Sequence, residues 1–299
     1  MINVKDVTKT FGDFKALDGL TLNVKKASVY GLIGPNGAGK TTFIKNLMGI
    51  YKPDSGEITV DGELVYENIE KKKNMVYISD DLYFFPTYSI LDTAKYYAGI
   101  YPKWNWETFE ALKKIFKIDV KRKPKKLSKG MQKQVAFWLG LCAEPDIMVL
   151  DEPIDGLDPV MRRNTWSLVL QKVAETQMTV LVSSHNLREL EDVCDHVGIM
   201  FDGKIVIEKS LDDVKGNIHK IQLAFPEGKT PDLENSLQVL HKSVFGSVIN
   251  LIVKGDTKLI KEEIQKYSPL VFDILPLTLE EIFIYELGGL GYEFENILI

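Results

Sequence analysis

Short runs of alternating apolar and polar positions open the chain, in "INVKDVTKTF" and "KALDGLTLNV", before the apolar run "SVYGLIG". Alternation at period two predicts half-buried strands, and the apolar run predicts a buried central strand entering a glycine-rich loop. The period lengthens in "TTFIKNLMGI", where Phe43, Ile44, Leu47 and Met48 share a helical face and Gly49 marks the stop. "GEITVDGELV" reads as a hairpin turning at Asp61-Gly62. From about residue 87 to 145 helical patterns take over: "ILDTAKYYAGIY", "NWETFEALKKIF" and "GMQKQVAFWLGLC". The apolar strands "IMVLDE" and "MTVLVSSH" follow, with the helix "VMRRNTWSLVLQKVAE" between them.

Strand–helix alternation implies an α/β fold with a parallel sheet covered on both faces. The helical stretch reads as an insertion into it. After about residue 212 the strand patterns "HKIQLAF", "SVINLIVKG" and "LVFDILP" mix with helical patterns in "DLENSLQVLHK", "TKLIKEEIQKY" and "TLEEIFIYELG". The expected organisation is a domain over residues 1–212 and a small α+β appendage over 213–299.

Composition adds limits. With 299 residues, 45% of them hydrophobic and 26% charged, the chain can bury a sizeable core. A net charge of -5 argues against nucleic acid as the main partner. Cys142 and Cys194 match no metal-ligand spacing and read as buried thiols in a reducing compartment. No stretch approaches the roughly 18 apolar residues of a membrane span, and the N-terminus lacks a signal-peptide core. The chain is expected to be cytoplasmic, so any membrane task requires another subunit.

The candidate chemistry begins at "GPNGAGKT", Gly34 to Thr41, which fits G-x-x-x-x-G-K-[ST] between a strand and a helix. Gly34, Gly37 and Gly39 let successive N–H groups converge on phosphate oxygens, and the following helix aims its positive end there. Lys40 is expected to bridge the β- and γ-phosphates of ATP, and Thr41 to offer a hydroxyl to Mg²⁺. Asn36, Ala38 and Thr42 complete the expected nucleotide contacts. "IMVLDEP" ends a buried strand in Asp151, expected to hold Mg²⁺, and Glu152, expected to polarise the attacking water. These motifs describe a P-loop nucleotidase, with kinase, GTPase and motor readings all open.

"LSKGMQ", Leu127 to Gln132, narrows that choice, because it resembles the LSGGQ signature of ATP-binding cassette (ABC) ATPases. Other segments match the same family in order over about residues 2 to 212. Phe11, in "KTFG", stands where the family stacks an aromatic on adenine, with Phe14 the neighbouring candidate. "DGLD", Asp155 to Asp158, resembles the D-loop, and the resemblance makes Asp158 a nucleotide-site residue. His185, in "VLVSSHNLREL", matches the switch histidine that contacts the γ-phosphate. The resemblance implies a P-loop core of ABC type with an N-terminal antiparallel β-subdomain and a helical subdomain.

Ser128 and Gly130 precede an amphipathic helix, which makes a second phosphate site at a positive helix end. One nucleotide does not need two such sites in one chain. The family's solution is a head-to-tail dimer, so a second ATPase subunit is implied, together with a membrane-spanning subunit. Lys129 and Met131 depart from the usual Gly and Gln. This "LSKGM" form resembles the ABC-2 type exporter ATPases, which carry drugs, peptides, lipids or polysaccharides. The rival reading is a non-transport ABC ATPase in translation or DNA repair, although such proteins carry two cassettes or long insertions.

"MVYISDDLYFFP" falls where the family has its Q-loop, and alignment puts Asp80 on the Gln position. Asp80 is then expected to contact Mg²⁺, while Asp81 is solvated. "KRKPKK", Lys121 to Lys126, reads as a solvated linker, and the aromatics of "YYAGIYPKWNW" and "YFFP" as core and subunit docking.

Overall fold

The computed structural model describes residues 1–211, 218–226, 231, 233, 234, 236–275, 277, 278 and 281. Its strands and helices run in the order β1 (Ile2–Phe11), β2 (Phe14–Val24), β3 (Val29–Ile33), α1 (Lys40–Leu47), β4 (Ser55–Val60), β5 (Glu63–Leu64), α2 (Ile69–Lys72) and β6 (Met75–Ile78). Then come α3 (Ile90–Ala98), α4 (Trp106–Phe116), α5 (Lys129–Cys142), β7 (Ile147–Asp151), α6 (Pro159–Thr176), β8 (Thr179–Ser184) and α7 (Leu187–Leu190). The remainder is β9 (His196–Phe201), β10 (Lys204–Ser210), β11 (Ile218–Ala224), β12 (Gln238–Phe245), β13 (Val248–Lys254), α8 (Thr257–Gln265) and β14 (Val271–Leu275). The chain divides into two compact units: Met1–Asn186 with Val193–Glu208, and Leu187–Asp192 with the chain from Lys209 on.

The first unit holds two sheets. An antiparallel sheet has the order β2-β1-β4-β5, with Val4 paired to both Leu22 and Ile58. The larger sheet has the order β10-β9-β3-β8-β7-β6, and β9, β3, β8, β7 and β6 are parallel neighbours. Every residue of β3, β7 and β8 is buried, as strands covered on both faces require. Phe43, Ile44 and Leu47 of α1 join Leu32, Val149, Leu181 and the inward residues of β1 and β2 in one core. Because β3, β6, β7 and β8 run parallel, the loops after all four emerge at one edge of the sheet. In such folds that edge is where ligands bind.

The helical stretch forms as its caps dictate. Ser89 and Asp92 make a reciprocal capping box on α3, while Asn105 caps α4 and Ser128 caps α5. Trp138 is fully buried, stacked on Phe109 at 4.8 Å and on Phe116 at 6.0 Å, and its indole N–H donates to the Phe109 carbonyl (3.0 Å). Cys142 and Cys194 are buried free thiols, and burial pushes both up from the usual thiol range.

The second unit carries an antiparallel sheet in the order β12-β13-β11-β14, with Ile260 and Ile264 of α8 packed on Ile221, Leu223, Leu251 and Val253. The helical reading of "DLENSLQVLHK" is corrected here, because Gln238–Phe245 is a strand paired along its length with β13. Gly246, at φ 62°, and Ser247 make a two-residue hairpin turn between apolar runs. That cross-strand pairing outweighs a weak local helical period. The expected helix "TLEEIFIYELG" lies outside the described residues except Thr278 and Glu281. β9 and β10, joined through Asp202 and Gly203, were not anticipated from the pattern. Among the described residues, no helix is long and apolar enough to cross a membrane.

Candidate nucleotide site

The loop from Gly34 to Thr41 joins β3 to α1, and two of its glycines are fixed by neighbours. A Cβ on Gly34 would lie 2.2 Å from the Met200 carbonyl oxygen. On Gly39, at φ 104°, it would lie 2.5 Å from the Ala16 carbonyl oxygen. α1 begins at Lys40, so its first-turn N–H groups have no helical acceptor and form a positive end at the loop. Lys40 is 6% exposed; its Nζ donates to the carbonyls of Gly34 (2.6 Å) and Pro35 (3.2 Å). Burial lowers the ammonium's pKa, and the charges of Glu152 and Asp151 oppose that shift.

β7 delivers Asp151 and Glu152 to the same edge. Asp151 is buried, taking a hydrogen bond from Ser183 Oγ (2.5 Å) and one from the Tyr77 hydroxyl (3.4 Å). Burial and then the Asp151 charge push the Tyr77 hydroxyl well above its ordinary range, so it stays protonated as a donor. Glu152 occupies left-handed backbone at φ 45°, and its N–H is held by Ser183 O and Ser183 Oγ, both at 3.2 Å. Its Oε2 lies 3.0 Å from His185 Nδ1, and its Oε1 lies 3.5 Å from Lys40 Nζ. Among the described residues, buried Oε1 accepts no hydrogen bond.

Lys40 and Glu152 border an open cavity of about 320 Å³, lined also by Asn36, Gly37, Gly39, Thr41, Thr42, Phe14 and Asp80, whereas Asp151 and His185 are not part of that lining. A glycine cradle, a positive helix end and a buried lysine suit a polyphosphate. Thr41, Asp80, Asp151 and Glu152 contribute oxygen donors only, as a hard divalent cation prefers. Among the described residues the buried Oε1 of Glu152 accepts no hydrogen bond and has the Lys40 ammonium, 3.5 Å away, as its counter-charge.

The family model described as ABC transporter matches residues 17–155. Over 291 residues the chain is 32% identical to the ABC transporter ATP-binding protein YtrB of Bacillus subtilis, covering 97% of this chain and 99% of that one. The chain belongs to the family of ABC transporter ATP-binding proteins. The Nod factor export ATP-binding protein I of Burkholderia lata is 29% identical over 293 residues, 95% of each chain. A solved ATP-binding subunit of an ABC transporter is 26% identical, with a TM-score of 0.67 over 72% of this chain and 92% of that one. The protein is therefore the ATP-binding subunit of an ABC transporter and an ATPase with the P-loop fold of that family. These relatives are transporter subunits, which favours transport over translation or DNA repair.

The remaining anticipated residues of this ABC ATPase separate into two groups. Asp80 reaches the cavity wall, and its Oδ1 lies 3.3 Å from Lys133 Nζ. Phe11 turns elsewhere, with its ring edge-on to Tyr51 at 5.4 Å, so the aromatic on the wall is Phe14. Asp158 caps α6, accepting from the N–H groups of Val160 (3.1 Å) and Met161 (3.0 Å). Ser128 Oγ accepts from Met131 N–H (3.3 Å), and a Cβ on Gly130 would lie 2.8 Å from the Gly156 carbonyl oxygen. Asp158, Ser128 and Gly130 do not line this cavity.

Three residues, Ser183, Tyr77 and Lys133, entered the site without being singled out in the sequence, and Asp155, the first residue of the D-loop match, entered beside them. Ser183 and Tyr77 hold Asp151, and Lys133 reaches Asp80 and the Glu152 carbonyl. Asp155 brings a carboxylate oxygen into a cluster with Glu152 and His185 whose ligand atoms lie within 4.8 Å of one another. The available signal was position: Ser183 and Tyr77 stand near the ends of parallel strands, where the other site residues stand.

Proposed function

We propose that this subunit hydrolyses Mg²⁺-ATP with Glu152 as general base, in a dimer that powers export through a separate membrane subunit. The observation that carries the reading is the Glu152 carboxylate set between Lys40 Nζ and His185 Nδ1, on the wall of the cavity lined by the glycine loop. Glu152 accepts a proton from the attacking water. His185 orients the carboxylate through Oε2 and supports the γ-phosphate. Lys40 leaves the loop carbonyls for the β- and γ-phosphates, where its charge offsets that developing in transfer. Thr41 and Asp151 would hold Mg²⁺, with Asp80 presenting a further oxygen, and the cation neutralises phosphate charge. Phe14 supplies the adenine-stacking ring in place of Phe11.

Closure needs a second copy or a related subunit. Ser128 and Gly130 are absent from this cavity's wall and would cap the nucleotide of the partner. The "LSKGM" signature and the likeness to an export subunit support export, a membrane-spanning partner and a cytoplasmic face.

The test is the mass of the Glu152→Gln protein in solution with and without Mg²⁺-ATP. A change from one 33.9 kDa chain to two on adding ATP, lost in Ser128→Arg, supports the reading. A mass that ignores ATP contradicts closure between copies of this chain.

A further inference from the structure

Lys133 is the most deeply placed cation of α5, the residue immediately after the signature, with a side chain only 6% exposed. A buried ammonium is costly unless its donors and its charge are both answered. Its Nζ donates to the Glu152 carbonyl at 2.7 Å and to Asp80 Oδ1 at 3.3 Å. The Asp80 side chain is 60% exposed, so the pair is anchored on the lysine side and open on the other.

The Glu152 contact matters because of the backbone it holds. Glu152 is a non-glycine residue at φ 45°, a conformation that persists only when its surroundings impose it. Ser183 fixes the N–H of that residue from β8, and Lys133 fixes its C=O from α5. Together the two clamps set the peptide planes on both sides of Glu152, and so the direction of its carboxylate. Asp80 follows β6 and Lys133 lies on the signature helix, so one ammonium joins three separate segments of the site.

We propose that Lys133 is a positioning residue for Glu152, with Asp80 as the counter-charge that holds its ammonium in place. An acidic residue at the Q-loop position is then compatible with turnover, because its charge is answered before nucleotide arrives. The proposal rests on Glu152 being the base.

The experiment is a double-mutant cycle on the full chain with Lys133→Gln, Asp80→Gln and the pair, read in two ways. In nucleotide-free protein, each single change is expected to lower Tm, and the double change to lower it by less than the sum. With Mg²⁺-ATP, Lys133→Gln is expected to cut kcat about 10- to 100-fold with KM for ATP within about twofold, as a misaligned base would. Lys133→Arg, which keeps the charge, is expected to recover most of that kcat and guards against a trivial folding defect. Additive Tm losses, a KM change as large as the kcat change, or no rescue by Arg would overturn the proposal. Failure of the base reading looks different: Glu152→Gln would then turn over normally while the Tm coupling between Lys133 and Asp80 remained.

Discussion

Lys40 Nζ and Glu152 Oε1 form an ion pair at 3.5 Å on the wall of the nucleotide cavity, with Lys40 buried and also tied to the Gly34 carbonyl. The same lysine that is to hold phosphate therefore covers one oxygen of the base beforehand. On the proposed roles, phosphate would draw the ammonium away and bare that oxygen, coupling binding to readiness for hydrolysis. Lys40→Ala is expected to lower steady-state ATP hydrolysis by at least about 100-fold, since a buried charge on the transferring phosphoryl group is lost. Phosphate release against time measures it.

The two neighbouring phenylalanines, Phe11 and Phe14, lie in different surroundings. Phe14 is on the cavity wall, whereas Phe11 sits against Tyr51 with Lys9 Nζ 5.6 Å from its ring centre. Stacking of a base on an aromatic ring is worth about 1–3 kcal/mol. Phe14→Ala is accordingly expected to weaken ATP binding roughly 5- to 150-fold, and Phe11→Ala by less than about threefold. Titration calorimetry on the two variants reads this directly, and a reversed order would restore stacking to Phe11.

The helical subdomain has its own anchor in Trp138. Truncation to Ala removes a ring stacked on Phe109 and Phe116 and leaves the Phe109 carbonyl without its donor. A loss of about 3–5 kcal/mol is expected from a large aromatic deletion in a core. Urea unfolding followed through the helical signal gives the value.

Acid stability has a local source at Asp54, whose carboxylate takes bonds from Lys9 Nζ (2.8 Å), Thr10 N–H (2.6 Å) and Thr10 Oγ1 (2.7 Å). The bond from Lys9 and those from Thr10 lower its pKa to about 2 from an ordinary 3.8. A depressed carboxylate stabilises the fold above its unfolded value and loses that contribution as pH falls through the folded one. Wild type and Asp54→Asn should therefore differ in Tm above about pH 4 and converge near pH 2, the sign of the difference favouring wild type. Scanning Tm across that window checks it.

The phosphate loop, the β7 carboxylates and the helix starts were legible in the sequence because each is written in consecutive residues. Gly34, Gly39, Lys40 and Ser128 stand in the anticipated loop and cap. Lys133 was not legible, since its partners Asp80 and Glu152 lie 53 and 19 positions away and meet it only through packing. Ser183 was hidden for the same reason, 32 positions from Asp151. β12 was misread because "SLQVLHK" carries a helical spacing, and the pairing that decides its state belongs to β13.

Single-turnover hydrolysis of Mg²⁺-ATP by wild type and Glu152→Gln at matched nucleotide occupancy tests most directly whether Glu152 is the base. A fall of about 10²–10⁴-fold with ATP affinity unchanged is the expected result. Hydrolysis by the variant within a few-fold of wild type would contradict it.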